Sequence, residues 1–173
     1  MEPRVLLDEL EIRRRILELA REIRRDYEGK DLVLVGILKG SVMFLADLAR
    51  AIDLPMSLGF IGVRSYGSAT ETSGVVEITA DLTHPVQDKD VLIVEDIVDT
   101  GLTMKYLLET LSIRQPRSLR VCTLLHKPER KRVDVTLDYV GFTVPDRFVV
   151  GFGLDHDQKY RNLPYIAVID EQP

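Results

Sequence analysis

The apolar run Val91-Leu92-Ile93-Val94, followed at once by Glu95-Asp96-Ile97-Val98-Asp99 and then Thr100-Gly101-Leu102-Thr103, constrains this chain more than any other stretch. Its first half is continuously apolar and largely β-branched. That suits a strand buried on both faces of a parallel sheet, although the same run fits a buried helix by periodicity alone. The chemistry then reverses. Glu95, Asp96 and Asp99 place carboxylates at the strand's end, and Met104 to Ile113 reads as a helix. A buried strand, a glycine turn and a helix start bring backbone N–H groups and hydroxyls together where an anion can sit. The acids cannot hold a phosphate. They suit the hydroxyls of an attached sugar, or a Mg²⁺ that accompanies phosphate. Acids after a strand often only solvate a loop, and the appended T-G-x-T is what tips the reading toward function.

The same strand–turn–helix order occurs earlier. Leu32 to Ile37 reads as a buried strand, Leu38-Lys39-Gly40-Ser41 as a tight turn, and Val42 to Ile52 as an apolar helix. Gly40 permits close backbone approach, and amides freed at such a turn can cup an anion while Lys39 adds a charge. Taken alone, a plain connecting turn is the simpler reading. Leu119 to Leu125 is another buried strand, ended by His126-Lys127-Pro128. Ligands of open parallel sheets sit outside the strands' carboxyl ends, which lifts Lys127 above an ordinary surface lysine.

The remaining segments frame these units. Asp8 to Tyr27 is an amphipathic helix with Ile12, Ile16, Ala20, Ile23 and Tyr27 on one face and Asp8 with Glu11 as a capping box. Arg13, Arg14, Arg24 and Arg25 lie off that stripe and read as a solvated face. Met56 to Arg64 is extended. Ser65 to Gly74 is polar and rich in Gly, Ser and Thr, with Tyr66 its one aromatic residue. Its composition predicts a long mobile loop, either a lid or a plain hairpin. Val75 to Ala80, Tyr139 to Phe142 and Tyr165 to Ile169 read as strands. His84 is assigned no role.

With 173 residues, 45% of them hydrophobic and 29% charged, the chain has the profile of one globular domain rather than a disordered segment. A net charge of −5 gives no bulk attraction to nucleic acid or membrane. The single cysteine, Cys122, sits in an apolar run and reads as core filler. The N-terminus lacks the basic-then-apolar layout of a signal peptide, and no apolar run approaches membrane-spanning length, so cytoplasmic residence is expected. No G-x-G-x-x-G follows a strand, which disfavours a dinucleotide-binding dehydrogenase.

The stretch from Val91 to Thr103 resembles the phosphoribosyl-pyrophosphate (PRPP) binding motif of type I phosphoribosyltransferases. The wider chain, from about Leu32 to Ile169, is similar to the bacterial hypoxanthine-guanine branch. The resemblance implies an α/β fold: a mainly parallel sheet flanked by helices, with a core over about 30–140 and a small hood from the N-terminal segment and about 141–173. It implies that Glu95 and Asp96 hold the ribose hydroxyls directly and through metal. Asp99 then lies by the purine N7 as general base, and Thr100, Gly101, Leu102 and Thr103 wrap the 5-phosphate, Leu102 through its backbone amide alone. Leu38 to Ser41 resembles the pyrophosphate loop, commonly with a cis bond between its first two residues, so Lys39 and Gly40, with Arg161, are assigned to pyrophosphate.

Val144 to Gly151 resembles the purine-binding hood. Phe148 would stack on the base, Val149 would offer backbone groups to its edge, Lys127 would meet the purine O6, and Asp155 would help hold metal or the C2 side. Ser65-Tyr66-Gly67 resembles the start of the family's flexible loop, so Ser65 and Tyr66 would begin a lid that shields a forming sugar cation from water. The implied reaction is Mg²⁺-dependent transfer of a 5-phosphoribosyl group from PRPP to N9 of hypoxanthine or guanine, in a homodimer or homotetramer. A non-enzymatic PRPP-sensing regulator and a xanthine-specific enzyme are the alternatives.

Overall fold

The buried runs form the centre of the molecule in a computed structural model, which describes residues 2–68 and 71–169, with the backbone alone at 66–68 and 71–74. In chain order the elements are β1 (Arg4–Leu7), α1 (Glu9–Tyr27), β2 (Leu32–Leu38), α2 (Val42–Ala51), β3 (Ser57–Ser68), β4 (Glu71–Ala80), β5 (Asp90–Val98), α3 (Leu102–Ser112), β6 (Ser118–His126), β7 (Tyr139–Thr143), β8 (Val149–Val150) and β9 (Ile166–Val168), with a 3₁₀ turn at Pro128–Arg130. The main sheet has the order β4-β3-β2-β5-β6-β7, parallel throughout except for the antiparallel β3–β4 pair.

Alternation along the central strands sorts their side chains to two layers. Leu32, Leu34, Leu92, Val94, Cys122 and Leu124 pack with Ile12, Ile16 and Ile23 of α1 and Phe44 and Leu48 of α2. Val33, Val35, Val91, Ile93 and Val121 pack on the other face with Met104, Leu107 and Leu111 of α3. Both faces are covered, which is why these strands read as continuous apolar runs. Each fully buried Leu, Ile or Val contributes about 1.5–3 kcal/mol by leaving water. Helix α1 begins as expected: Glu11 N donates to Asp8 Oδ1 at 2.8 Å and Asp8 N to Glu11 Oε2 at 3.1 Å. Arg13, Arg14, Arg24 and Arg25 are all exposed. Arg15 turns inward instead, donating to the carbonyls of Val140 and Gly141 at 2.8 and 2.9 Å and tying α1 to β7.

The small hood is a second sheet, β1-β9-β8, antiparallel throughout. Its Val149, Phe152, Leu154, Ile166 and Val168 continue the α1–α2 core layer. Its first strand, β1, has no counterpart among the sequence expectations.

Two expectations change. The expected loop from Ser65 to Gly74 is largely strand, since β3 runs through Ser68 and β4 starts at Glu71; residues 69–70 lie outside the described residues. Ser65 pairs with Val76 and Tyr66 with Val75, and the register then shifts before Gly67 meets Thr72. Gly, Ser and Thr suggested a loop because no buried face marks the segment. An antiparallel ribbon needs no such face once its backbone groups pair with each other. Beyond Gly62, the residue opposite Leu38, β3 pairs only with β4, so residues 63–68 project past the carboxyl edge of β2 by roughly 20 Å. The second change is at β5, which extends to Val98. Glu95 and Asp96 therefore lie within the strand rather than beyond it, with Glu95 opposite Thr123 of β6.

Candidate active site

Because β2, β5 and β6 are adjacent and parallel, the segments after them emerge at one edge. The turn after β6 is clamped to the one after β5. Lys127 N donates to Val98 O at 3.0 Å, and the amides of Arg132 and Val133 donate to Thr100 O at 2.9 and 3.2 Å. This seats Lys127 beside Asp99. Gly101 caps α3 with φ +86°, and a Cβ there would press on the Val133 carbonyl at 2.9 Å, so the clamp requires glycine. Thr100 Oγ1 accepts from Leu102 N at 3.3 Å. Leu102 and Thr103 form the first turn of α3, where amides have no intrahelical acceptor.

One cluster gathers around Asp99. Arg130 Nε lies 3.2 Å from Asp99 Oδ1, yet that buried oxygen accepts no hydrogen bond among the described residues. The contact is coulombic and leaves the oxygen's acceptor capacity free. Lys127 is buried, and its ammonium lies 4.0 Å from Asp146 Oδ1, too far for a hydrogen bond. Burial pushes the ammonium below the usual lysine range, partly opposed by the charges of Asp99 and Asp146. Phe148 stands more than a third exposed with its ring edge-on to His156, centroids 5.4 Å apart. Val149 is buried in β8. The neighbouring Phe148 carbonyl accepts from Ile169 N at 3.0 Å.

A second cluster joins the sheet edge to the hood. The Leu38–Lys39 peptide bond is cis. A Cβ on Gly40 would collide with the Asp96 carboxylate, and one on Gly153 would collide with the Gly40 carbonyl. These two glycines let the pyrophosphate-loop candidate, the acidic pair and the hood meet. Glu95 is buried and Asp96 half-buried. Burial holds the Glu95 carboxyl well above the usual carboxylate range, reinforced by the Asp96 charge, and burial also raises Asp96. Asp96 Oδ1 accepts from Ile97 N at 2.7 Å and Glu95 Oε1 from Asp96 N at 3.1 Å.

Arg161 donates through Nη1 to Gly153 O at 2.7 Å and through Nη2 to Gln158 Oε1 at 3.1 Å, and it pairs with Asp155 Oδ1 at 3.1 Å. Its Nε is buried with no acceptor among the described residues. Asp155 Oδ2 accepts from Gln158 N at 2.8 Å, and Lys39 Nζ donates to Gln158 Oε1 at 3.3 Å.

The structure thus brings together Lys39, Gly40, Asp96, Asp155 and Arg161 in one cluster, and Asp99 with Lys127 in another. Ser65 lies exposed on β3, and the Tyr66 side chain lies outside the described residues. Sequence reasoning missed Arg130, Asp146, His156, Gly153 and Gln158. Only Gly153 carried a usable signal, the Gly151-Phe152-Gly153 pair of glycines within an otherwise apolar run.

The acidic pair suits Mg²⁺. No group of His, Cys, Asp and Glu among the described residues closes round an ion. Mg²⁺ commonly keeps its waters and takes one or two carboxylates plus substrate phosphates. Two carboxyls raised by burial, Glu95 also by the Asp96 charge, gain from such a cation. Asp155, although engaged, keeps acceptor lone pairs on both oxygens.

Residues 5–157 match the phosphoribosyl transferase domain, which sets the class: an enzyme transferring a pentosyl group. The chain is 54% identical to the hypoxanthine-guanine phosphoribosyltransferase of Mycobacterium avium over 172 residues, covering 96% of this chain and 85% of that protein. It is 48% identical to the hypoxanthine phosphoribosyltransferase of Escherichia coli K12, covering 95% and 94%. A crystal structure of a Staphylococcus aureus hypoxanthine phosphoribosyltransferase superposes with a TM-score of 0.92 at 49% identity, covering 96% of this chain and 90% of that one. The chain belongs to the phosphoribosyl transferase family, within its hypoxanthine-guanine phosphoribosyltransferase branch.

Proposed function

We propose that this protein salvages purines by moving the 5-phosphoribosyl group of PRPP to N9 of hypoxanthine or guanine, with Mg²⁺, forming IMP or GMP and pyrophosphate. The observation that carries the reading is the juxtaposition of Asp99 Oδ1, a buried oxygen that accepts no hydrogen bond among the described residues, and the buried Lys127 ammonium, which stands 4.0 Å from Asp146 Oδ1, beyond hydrogen-bond reach. A 6-oxopurine offers the complement on one edge: N7–H donates and O6 accepts. Adenine's 6-amino group would leave the ammonium unpaired, a penalty that discriminates strongly in a buried site.

In this mechanism Phe148 stacks on the base and the Val149 backbone and Asp155 read its C2 side. Thr100, Gly101, Leu102 and Thr103 hold the 5-phosphate, and Glu95 and Asp96 hold the ribose hydroxyls. Lys39, the Gly40 backbone and Arg161 take the pyrophosphate. The C1–oxygen bond to pyrophosphate breaks as N9 bonds to C1, and Asp99 takes the proton from N7. Mg²⁺, held by substrate oxygens with Glu95, Asp96 and Asp155 as protein ligands, would neutralise the leaving group's charge. The β3–β4 arm carrying Ser65 and Tyr66 serves as the lid. The chain acts as one domain, core about 30–140 with a hood from the N-terminal segment and 141–173, in a cytoplasmic homodimer or homotetramer. The branch relatives named above act on hypoxanthine or guanine by name, which supports the base choice.

The test is a product assay with Mg²⁺, PRPP and each of hypoxanthine, guanine, xanthine and adenine. Pyrophosphate release with hypoxanthine and guanine but little with adenine is expected. Equal turnover of adenine and hypoxanthine overturns the role of Lys127, and no release with any base overturns the function.

A further inference from the structure

Lys39 and Arg161 come from segments far apart in the chain, yet both donate to one atom, Gln158 Oε1, at 3.3 and 3.1 Å. The backbone beneath that side chain is unusual. His156 and Lys159 exchange backbone hydrogen bonds of 3.1 Å each, and the two residues between them, Asp157 and Gln158, have φ of +51° and +63°. This has the form of a two-residue hairpin turn with both central residues left-handed, a position where Asn-Gly is favoured. A residue with a long side chain is disfavoured at the second central position on backbone grounds. The turn itself therefore gives no reason for glutamine. The two contacts of its amide oxygen do.

We propose that Gln158 is a positioning residue for the diphosphate of the substrate: its amide oxygen holds the Lys39 and Arg161 cations converged on one point and gives that point up to a diphosphate oxygen. The inference rests on the phosphoribosyl-transfer reading above. A flexible lysine loses rotamer freedom whenever it is fixed, and Gln158 fixes it before substrate arrives. The amide is neutral, so its oxygen is a weaker acceptor than a phosphate oxygen, and the exchange runs toward substrate. A carboxylate in its place would form ion pairs and compete. Arg161 Nε, buried without an acceptor among the described residues, adds a further donor on the same guanidinium. Asp155 holds the turn itself, its Oδ2 accepting from the Gln158 backbone N–H at 2.8 Å.

Three variants of the full chain, Gln158→Met, Gln158→Gly and Gln158→Glu, test this by steady-state kinetics and by binding of inorganic pyrophosphate. In Gln158→Met the KM for PRPP and the inhibition constant of pyrophosphate rise together by about three- to tenfold. The kcat and the KM for the base stay unchanged, as expected when binding common to ground and transition states is lost. Affinity for the nucleoside monophosphate, which has no diphosphate, also stays unchanged. Gln158→Gly shows the same kinetic loss with a Tm equal to or above that of the wild type, because glycine suits the left-handed turn. Gln158→Glu raises both constants further than Met does, since it sets a negative charge where the anion binds. The proposal is overturned if Met and Gly leave the pyrophosphate constant unchanged, or if the monophosphate weakens in the same proportion. If the wild type binds no pyrophosphate, the reading of the site itself falls, and this proposal with it.

Discussion

Where the strands β2, β5 and β6 end, Lys39, Asp99 and Lys127 are presented by short segments anchored to a sheet whose strands are buried on both faces. Across from them, the hood loop from Gly151 to Arg161 takes left-handed φ at Gly151, Phe152, Gly153, Asp157, Gln158 and Tyr160. The sheet edge obtains its geometry from regular hydrogen bonding and burial, which are insensitive to the identity of an exposed side chain. The loop obtains its geometry from backbone conformations that most residues resist, so it depends on the residue at each position. Substitutions at the sheet edge should therefore change chemistry and leave folding nearly alone. Substitutions in the loop should change both together.

Asp99→Asn is the largest expected effect and tests the first half of this contrast. The substitution keeps shape and removes the proposed proton acceptor. A positioned general base contributes about 10²–10⁴-fold, so kcat should fall by that order while PRPP binding and Tm remain close to wild type. Turnover within a few-fold of wild type would remove Asp99 from the mechanism. A large loss of Tm would instead show that this part of the edge shares the loop's sensitivity.

Gly153→Ala tests the second half. At φ +101°, with a Cβ directed at the Gly40 carbonyl, alanine is strained and also displaces the turn that carries Lys39 and Gly40. A cost of about 2–4 kcal/mol is expected, lowering Tm by roughly 5–15 °C, together with a raised KM for PRPP. Thermal melting and kinetics on the same preparation check it. An unchanged Tm would mean that the hood and the loop slide past each other freely, and the contrast would fail.

The same contrast explains how much was legible in the sequence. Leu32 to Ile37, Val91 to Val94 and Leu119 to Leu125 announced themselves because both faces of each strand are covered. Asp8 with Glu11 announced the start of α1 because capping is local. The acids of β5 and the Thr100–Thr103 segment were legible because their chemistry is contiguous. Strand β1 was not, since half of its four residues are exposed and its pairing with β9 joins opposite ends of the chain. The β3–β4 arm was read first as a loop and only alternatively as a hairpin, because a ribbon paired only to itself leaves no apolar alternation. Gln158 was invisible, because its meaning lies in a contact with Lys39, 119 residues away. Arg130 looks like a solvated charge until the turn after β6 is clamped against Thr100.

Lys127→Met gives the smallest expected effect and sharpens the comparison, because Lys127 belongs to the sheet edge yet is buried. Methionine keeps much of the volume and removes the charge, so discrimination between hypoxanthine and adenine should fall by about tenfold or more in kcat/KM. Stability should move the other way. Burial holds the ammonium below the ordinary lysine value of 10.5. A group lowered on folding adds its stability above the unfolded value and loses it as pH falls through the folded one. At neutral pH the wild type therefore carries the cost of a buried charge, eased by Asp99 and Asp146, and the methionine variant does not. A gain of about 1 kcal/mol, or ~2–4 °C in Tm, is expected near pH 7. It should shrink as pH approaches 10.5. Melting curves across that range decide the matter. A variant less stable than wild type at pH 7 would mean that Asp99 and Asp146 more than offset the desolvation of Lys127, placing its charge among the groups that hold the sheet edge together.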